Sequence, residues 1–329
     1  MKDAESCIII GAGISGLLAA QHLMRYDVKV TILEKSRGCG GRMAVKKMGE
    51  SVFDSGAQFM TTRDMIFRER VESWLAKGEV LPWYPGPLKN MRYVGSKGMT
   101  TVPERIGESL TVMLSERVTK INFKKKKWTV TTNPHGTKEN KKYTSDWLIM
   151  TAPVPQNLEL LEASGIELDY DDEVELKKIT YLRCLTVMAQ LNGPSGIPNP
   201  GAMDLNHDVL RWLGDNSAKG ISPLEGTITL HSSPKFADAY WDRPEEERIE
   251  AMLTAAKPFI KADVVEAISH RWGFSDPVRI YREKHPFRKP YFIDDEMQLG
   301  MAGDGFNGPR IEAAGLSGME LAAAILSPV

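Results

Sequence analysis

The feature that most constrains this chain is a glycine-rich turn between two apolar segments near its N-terminus. The turn, Gly11-Ala12-Gly13-Ile14-Ser15-Gly16, follows the β-branched run Cys7–Ile10 and precedes leucines and alanines at helical spacing. A second alternating segment, Val28–Leu33, ends on the acidic residue Glu34. This order predicts a strand, a tight turn, a helix and a second strand, which together form a βαβ unit with parallel strands.

A turn of this kind is suited to binding a dinucleotide. One glycine makes the turn, a second lets backbone approach a pyrophosphate, and a third allows close helix–strand packing. The phosphates then meet the positive end of the helix, and Glu34 would accept hydrogen bonds from ribose hydroxyls and repel a 2′-phosphate. FAD or NAD is therefore favoured over NADP. The predicted cofactor-binding residues of this region are Gly11, Ala12, Gly13, Ile14, Ser15, Gly16, Glu34, Lys35 and Ser36.

A second glycine-rich turn, Gly38–Met43, follows at once and favours FAD over NAD. Its Gly40 and Gly41 would let backbone approach the second half of a pyrophosphate, and Arg42 would neutralise phosphate charge. An NAD-binding fold has no need of this turn. The alternative is a basic surface loop without a ligand.

Five motifs follow one another in the order GAGISG, EKSRGCGGRM, FDSGAQF, TAPVP and AGDGF. In this order the chain resembles the flavin-dependent amine oxidase superfamily, and more narrowly its renalase-like branch. The spaced matches run from Ile8 to Gly318, although residues 158–276 match only loosely.

The resemblance implies an α/β fold. It comprises a Rossmann-like FAD-binding domain, with a parallel sheet and helices, and a mixed α+β substrate domain of the amine oxidase/p-hydroxybenzoate hydroxylase type. The FAD-binding domain would be discontinuous, formed by residues 1–60, 99–156 and 285–329. The substrate domain would comprise residues 61–98 and 157–284.

The resemblance also implies further FAD contacts. The segment Asp54–Phe59 would lie against the isoalloxazine, Val118 beside the adenine and Thr151 in a turn next to the cofactor. Asp304 would bind the ribityl chain, and the last helix would direct its N-terminus at the flavin N1–C2=O edge. The residues implied are Gly41, Arg42, Gly56, Ala57, Gln58, Phe59, Val118, Thr151, Gly303, Asp304, Arg310, Ile311, Glu312 and Ala314. Small residues in a strand-to-turn segment, or an aspartate that caps a helix, are the structural alternatives.

Two departures from the superfamily pattern bear on the chemistry. Some amine oxidases bind flavin covalently through a cysteine near the C-terminus, but no cysteine follows Cys184, so FAD should be non-covalent. Amine oxidases also commonly place a lysine on a substrate-domain strand near flavin N5. The closest segment in this chain, Tyr181–Cys184, offers Arg183 instead, which weakens an amine-oxidation hypothesis.

The sequence contains no Ser/His/Asp arrangement and no metal-ligand cluster, so flavin would carry the chemistry and no metal is expected. The renalase-like resemblance implies hydride transfer from dihydronicotinamide isomers of NAD(P) to flavin N5, with O₂ reduced to H₂O₂. The residues predicted to be catalytic or to line the substrate site are His231, Trp272, Tyr181, Phe59 and Arg183. Core packing is the alternative for His231 and Trp272. An FAD-dependent amine oxidase or dehydrogenase of another small substrate, and a non-catalytic flavin-binding redox sensor, remain alternative functions.

Composition limits the partners. The net charge of −1 gives no field that would attract nucleic acid or an anionic membrane, so a small-molecule substrate and O₂ are expected, in a monomer or weak homodimer. The three cysteines have no pairing pattern, which favours a reducing, cytoplasmic location. The uncharged stretch Ser6–Met24 contains three glycines, Gln21 and His22, and is expected to be neither a signal peptide nor a membrane span.

Overall fold

The computed structural model describes residues 5–87, 89–134 and 139–327. The chain divides into two compact units. The first unit comprises Met1–Gly41, Pro103–Thr180 and Asp276–Val329, and the second comprises Arg42–Val102 and Tyr181–Ser275. The domain bounds implied by the family resemblance divide the chain by function, which compactness does not test, so these bounds stay a prediction. Relative to those bounds, residues 42–60 and 99–102 lie in the second unit, and residues 157–180 and 276–284 in the first.

The strands are numbered in chain order. They are β1 Ser6–Ile10, β2 Lys29–Leu33, β3 Val45–Met48, β4 Ser51–Asp54, β5 Val80–Pro85, β6 Met91–Gly95, β7 Val112–Met113, β8 Glu116–Lys124, β9 Lys127–Pro134, β10 Lys141–Ser145, β11 Trp147–Met150, β12 Cys184–Leu191, β13 Ala202–Asp204, β14 Leu210–Asp215, β15 Thr227–Ser232, β16 Val264–Trp272, β17 Phe292–Asp294 and β18 Leu299–Met301.

The α-helices are numbered in the same way. They are α1 Ile14–Met24, α2 Met65–Ala76, α3 Thr101–Gly107, α4 Val154–Ser164, α5 Tyr170–Lys177, α6 Pro234–Tyr240, α7 Glu245–Ala256, α8 Asp304–Asn307 and α9 Ile311–Leu326. Short 3₁₀ turns occur at Gly41–Met43 and Lys257–Phe259. Over residues 5–87, 89–134 and 139–327, no helix has the length and apolar character needed to cross a membrane.

The first unit is built on a six-stranded sheet in the order β17-β18-β11-β1-β2-β7. Strand β1 pairs in parallel with both β2 and β11, so that Ile8 is flanked by Thr31 and Leu148. The apolar run of β1 is buried because a central parallel strand is covered on both faces. The predicted βαβ unit is confirmed, and the α/β class with a Rossmann-like domain is correct.

Helices α1 and α9 pack closely in the first unit. A Cβ atom placed on Gly318 of α9 would lie 2.1 Å from the backbone oxygen of Ser15 in α1. A side chain at position 318 would therefore force the two helices apart. Helix α9 spans Ile311–Leu326, a segment whose apolar residues have the spacing of an amphipathic helix.

A smaller three-stranded antiparallel sheet, in the order β10-β9-β8, also belongs to the first unit. Strands β8 and β9 are joined at Lys125 and Lys126, both of which have positive φ. The four consecutive lysines Lys124–Lys127 thus contain the turn of a hairpin.

The second unit has a five-stranded antiparallel sheet in the order β13-β14-β15-β12-β16. Helices α6 and α7 contribute Phe236, Ala237, Met252 and Ala256 to a core that includes Leu185 and Leu230 of this sheet. Antiparallel strands with helices on one face confirm the predicted mixed α+β character of a second, separate unit.

Candidate dinucleotide site and a buried polar cluster

The first glycine of the N-terminal turn is required by its backbone and by its neighbour. Gly11 has a φ of +107°, where L side chains are strained, and its amide donates to the carbonyl of Leu33 at 2.9 Å. A Cβ atom at this position would lie 2.7 Å from Oγ1 of Thr151. The threonine hydroxyl donates to the carbonyl of Ile10 at 3.0 Å, so β1 and β11 are joined where both strands end.

The other two glycines of the turn play different parts. A Cβ at Gly16 would lie 2.2 Å from the carbonyl oxygen of Gly11, so Gly16 permits close packing of helix and strand. Gly13, at the N-cap of α1, has an ordinary φ of −75° and would place a Cβ in space with no atom of the described residues within 4 Å. Open space thus lies beside the N-cap of α1, which as a glycine has no side chain to cap the helix.

Ser15 supplies a buried polar group in the first turn of α1. Its residue is 4% exposed, and among the described residues its hydroxyl has no hydrogen-bond partner. Its Oγ lies 2.9 Å from the position of a Cβ on Gly318, so the hydroxyl faces the contact with α9. The backbone amides of the first turn of α1, beside the open space at Gly13, suit an anionic group. Ala12 and Ile14, on either side of Gly13, are buried. The turn therefore fits the pyrophosphate of a dinucleotide.

Glu34 is held in place by backbone amides. It is 6% exposed; one carboxylate oxygen accepts from the amide of Ala12 at 2.8 Å and the other from the amide of Ser36 at 2.7 Å. Each carboxylate oxygen can accept a second hydrogen bond, so the group fits ribose hydroxyls. The side chains of Lys35 and Ser36 are exposed.

The predicted adenine position lies on a strand that is joined to this acid. The amide of Glu116, the first residue of β8, donates to the backbone carbonyl of Glu34 at 2.8 Å. Val118, two residues further on, is half-buried and opposite Thr132 in the small sheet. Its contact with adenine stays a prediction.

The C-terminal motif reaches the same sheet edge. Strands β18, β11, β1 and β2 are parallel neighbours, so Gly303, Thr151, Gly11 and Glu34 follow the carboxyl ends of successive strands. Ligands of open α/β sheets bind beyond this edge. Gly303 has a φ of +143° and donates its amide to the hydroxyl of Ser317 at 2.9 Å.

Asp304 and the start of α9 complete this part of the unit. Asp304 is 6% exposed and its Oδ1 accepts from the amide of Gly305 at 3.0 Å. Helix α9 has Arg310 at its N-cap without a side-chain cap, and Glu312 in the first turn is buried, 3.7 Å from the Arg310 guanidinium. Ile311 and Ala314 are half-buried. The cofactor roles assigned to these residues remain predictions.

The second unit contains a buried ion pair that sequence reasoning missed. Nζ of Lys219 lies 3.0 Å from Oδ2 of Asp54, and neither side chain is exposed. Burial lowers the pKa of Lys219 and raises the pKa of Asp54, while each partner opposes the shift of the other. Whichever atom holds the proton, the pair has no net charge.

Gln58 extends this pair towards a histidine. Its Oε1 accepts from Lys219 at 2.9 Å, and its Nε2 donates to the carbonyls of Asp54 at 2.6 Å and Gly56 at 3.0 Å. Nε2 also lies 3.4 Å from Nε2 of His231. Burial, and then the charge of Arg211, lowers the pKa of His231 to about 3, so its ring is neutral at physiological pH.

The turn after β4 is fixed by contacts within the second unit. The carbonyl of Ser55 accepts from the indole of Trp272 at 2.9 Å and from the hydroxyl of Thr186 at 3.1 Å. A Cβ at Gly56 would lie 2.1 Å from the carbonyl oxygen of Arg42, and the amide of Ala57 donates to that oxygen at 2.9 Å. The small residues at 56 and 57 therefore have a packing reason in this turn, and their flavin contact stays a prediction.

Phe59 belongs to an aromatic group around a buried guanidinium. The Arg92 guanidinium lies 4.1 Å from the ring centroid of Phe59, 4.8 Å from that of Tyr84 and 5.7 Å from that of Trp212. Arg92 is also paired with the exposed Asp204 at 3.1 Å. Cation–π contacts and this ion pair offset the burial of the charge.

The other predicted site residues of the second unit are Arg42, Tyr181 and Arg183. Arg42 Nη1 donates to the carbonyls of Phe274 and Ser275 at 3.2 Å, and its guanidinium lies 5.7 Å from the ring of Tyr181. The 45% exposed side chain of Arg183 lies over the ring of Trp241 and 3.8 Å from Asp238. The proposed phosphate role of Arg42 and the catalytic roles of Tyr181 and Arg183 remain predictions.

Comparison with known proteins gives similarities of two kinds. A family model described as NAD(P)-binding Rossmann-like domain matches residues 9–71. The protein FLOWERING LOCUS D of Arabidopsis thaliana is 58% identical over 47 residues, which are 14% of this chain and 6% of that protein. The anon-37Cs protein of Drosophila lebanonensis is 40% identical over 106 residues, 32% of this chain and 20% of that protein. The matches thus span a fifth or less of the length of these relatives.

Solved structures match over nearly the whole chain. A putative protoporphyrinogen oxidase from Exiguobacterium sp. 255-15 has a TM-score of 0.72 at 13% identity, covering 99% of both chains. A triple mutant of putrescine oxidase has a TM-score of 0.71 at 14% identity, covering 98% of both chains. At this identity the likeness shows the fold. Together these similarities show a Rossmann-like segment near the N-terminus and a fold shared with two oxidases, and none of the five matches singles out the renalase-like branch.

Proposed function

We propose that this chain is an FAD-dependent oxidoreductase that binds FAD non-covalently. Its substrate is a small reduced compound, a dihydronicotinamide isomer of NAD(P), and O₂ is the electron acceptor. The oxidation balances because the hydride lost by the dihydronicotinamide supplies two electrons and one proton, and solvent supplies the second proton, so that O₂ becomes H₂O₂ and the dihydronicotinamide becomes the nicotinamide cation.

The observation that carries the cofactor proposal is the open space at Gly13, at the N-cap of α1, where a pyrophosphate could meet the backbone amides of the first helical turn. Gly11 and Glu34 lie on the same sheet edge, and the carboxylate of Glu34 retains acceptor capacity for a ribose. When bound, FAD supplies a two-electron acceptor for hydride. The names of the similar oxidases support this class of chemistry.

The substrate proposal rests on the neutrality of the buried cluster Asp54–Gln58–Lys219–His231, together with the renalase-like motifs. The Lys219–Asp54 pair has no net charge, and burial lowers the pKa of His231 to about 3, so the imidazole is neutral at physiological pH. A dihydronicotinamide becomes an aromatic nicotinamide when it loses hydride, without first losing a proton. Such a substrate therefore does not need a strong general base from the protein.

The cofactor test is Gly13→Ala. Its methyl group meets no described atom within 4 Å and its φ is ordinary, so the fold tolerates it, whereas a pyrophosphate against the turn does not. We expect the melting temperature of the apoprotein to be unchanged and the affinity for FAD to fall. The control is Gly193→Ala in the second unit, where the added Cβ would make an ordinary 3.8 Å contact with Ala262. Equal FAD affinity in parent and both variants would overturn the proposed site.

The substrate test is anaerobic stopped-flow mixing of the flavin-loaded protein with dihydronicotinamide isomers, benzylamine or a polyamine. We expect rapid bleaching with the 2- or 6-dihydro isomers only, followed in air by reoxidation and H₂O₂ release. Faster bleaching by an amine would assign the protein to amine oxidation instead. Bound flavin that no substrate reduces would favour the redox-sensor alternative.

A further inference from the structure

We propose that Lys219 is a positioning residue that fixes the amide of Gln58, and that this amide holds His231 as the tautomer with hydrogen on Nδ1 and a lone pair on Nε2. This inference deepens the proposed function and rests on it, because the role given to Lys219 is in the flavin reduction proposed above. No sequence motif includes Lys219. Each step depends on contacts within the second unit.

The orientation of the Gln58 amide is fixed by three contacts. Its oxygen faces Nζ of Lys219 at 2.9 Å and accepts from it in either protonation state: an ammonium has no lone pair, and the lone pair of a neutral amine would be taken by the proton on Asp54. Its nitrogen faces the carbonyl oxygens of Asp54 and Gly56, which can only accept. A rotated amide would bring its NH₂ group against the ammonium and its oxygen against two carbonyls. Only one rotamer is therefore compatible with the cluster.

Lys219 itself has little freedom to move. It is fully buried, its Nζ also contacts Oδ2 of Asp54 at 3.0 Å, and it lies 5.0 Å from the ring centroid of Trp83. Oδ1 of Asp54 accepts in turn from the amide of Met99 at 2.7 Å. Lys219 is thus held by a carboxylate that is itself fixed, and its Nζ in turn fixes the amide oxygen of Gln58.

The tautomer of His231 follows from the orientation of Gln58. The amide NH₂ group lies 3.4 Å from Nε2 of His231 and has no lone pair to offer, so a hydrogen on Nε2 would face other hydrogens. The backbone of Ser55 favours hydrogen on the imidazole, since it opposes the lowering of the His231 pKa. With a bare Nε2, no ring hydrogen meets the hydrogens of the amide, and the neutral ring then carries its hydrogen on Nδ1.

The test is ¹⁵N NMR of the histidine side chains in the flavin-loaded protein as purified, with His231 assigned by its loss in His231→Gln. Protonated and bare ring nitrogens have widely separated ¹⁵N shifts, and the measurement needs no substrate. We expect the parent His231 to be neutral with Nδ1 protonated. A parent ring with hydrogen on Nε2 would refute the inference without any variant, and leave the proposed oxidoreductase function untouched.

Two variants test the part assigned to Lys219. Gln58→Leu removes the amide but leaves the Lys219–Asp54 pair intact, and Lys219→Met removes the donor that orients the amide. We expect both to shift His231 towards a mixture of tautomers and to slow flavin reduction by roughly 10–100-fold, with no further loss in the double variant. The control is Lys235→Met, an exposed lysine of α6, which should change neither readout.

The outcomes separate positioning from simple stability. If Gln58→Leu changes the His231 signals and a folded Lys219→Met does not, Lys219 does not orient the amide and the inference fails. If Lys219→Met is too unstable to study, because it leaves Asp54 buried without a partner, the parent tautomer and Gln58→Leu still decide the histidine step. A parent-like His231 spectrum in Gln58→Leu would also overturn it.

Discussion

The stability of the second unit should depend on pH through His231. Burial, followed by the positive charges of Arg211 and Lys219, lowers the pKa of this histidine to about 3, while its hydrogen bond to Ser55 opposes the shift. An unfolded chain has a histidine pKa of about 6.5. Because the native pKa is the lower one, the unfolded state binds the proton first. Stability is therefore full above pH 6.5 and is lost as the pH falls towards 3.

The size of the effect follows from these two values. Between pH 8 and pH 5 the unfolded histidine takes up its proton and the native one does not, which costs about 2 kcal/mol. The figure depends mainly on the unfolded pKa, since His231 is still neutral in the native state at pH 5. His231→Gln removes the titrating group, so its loss of stability between pH 8 and pH 5 should be smaller than that of the parent by this amount. Urea unfolding at both pH values measures the difference.

The control for this experiment is Thr186→Val. Thr186 is fully buried, faces His231 across the β12–β15 pair and donates to the same Ser55 carbonyl, but it does not titrate. We expect it to lower stability equally at both pH values. If His231→Gln retains the pH dependence of the parent, the imidazole is protonated or exposed in the native state, and its placement in the neutral cluster is refuted.

Two further predictions concern the first unit. Asp304→Ala should weaken FAD binding by roughly 1.5–3 kcal/mol through loss of a buried charged acceptor, and Glu34→Gln should weaken it less because the amide keeps one acceptor oxygen. Fluorescence titration of the apoproteins with FAD measures both effects. Unchanged affinity in both variants would contradict the assignment of these residues to the cofactor site. Gly16→Ala should lower the melting temperature of the apoprotein, unlike Gly13→Ala, because its Cβ would lie 2.2 Å from a backbone oxygen.

The parts of the fold that could be predicted from sequence are those in which one periodic pattern decides the element. Cys184–Leu191 and Thr227–Ser232 are rich in the apolar and β-branched residues typical of strands and Ile311–Leu326 has an amphipathic helical pattern, and the structure has two strands and a helix with these bounds. The turn at Gly11 is also predictable, because a glycine-rich turn between a strand and a helix has a general geometry, although the Thr151 hydroxyl that leaves no room for a Cβ comes from a distant segment. The domain bounds were harder, because they depend on contacts between distant segments.

The buried cluster could not be predicted for the same reason. Lys219 lies in the segment between β14 and β15, and nothing next to it distinguishes it from an exposed lysine. Its partner Asp54 is 165 residues away, so the burial of both charges becomes visible only when the sheet and the β4 turn are in place. The resemblance to amine oxidases instead directed attention to Arg183, whose side chain is 45% exposed beside Trp241.

The segment Asp54–Phe59 has contacts within the second unit that account for several of its residues without a cofactor. The family resemblance assigns it to the flavin, yet within the second unit Asp54 binds Lys219, and Gly56 has no room for a side chain beside the Arg42 carbonyl. Gln58 is tied to the same cluster through both ends of its amide. A substitution at Asp54, Gly56 or Gln58 would therefore disturb these contacts, and its effect on cofactor binding could not be distinguished from that disturbance. Variants that alter flavin affinity without changing the His231 signals would isolate the cofactor contacts of this segment, and Ala57 and Phe59 are the positions at which to seek them.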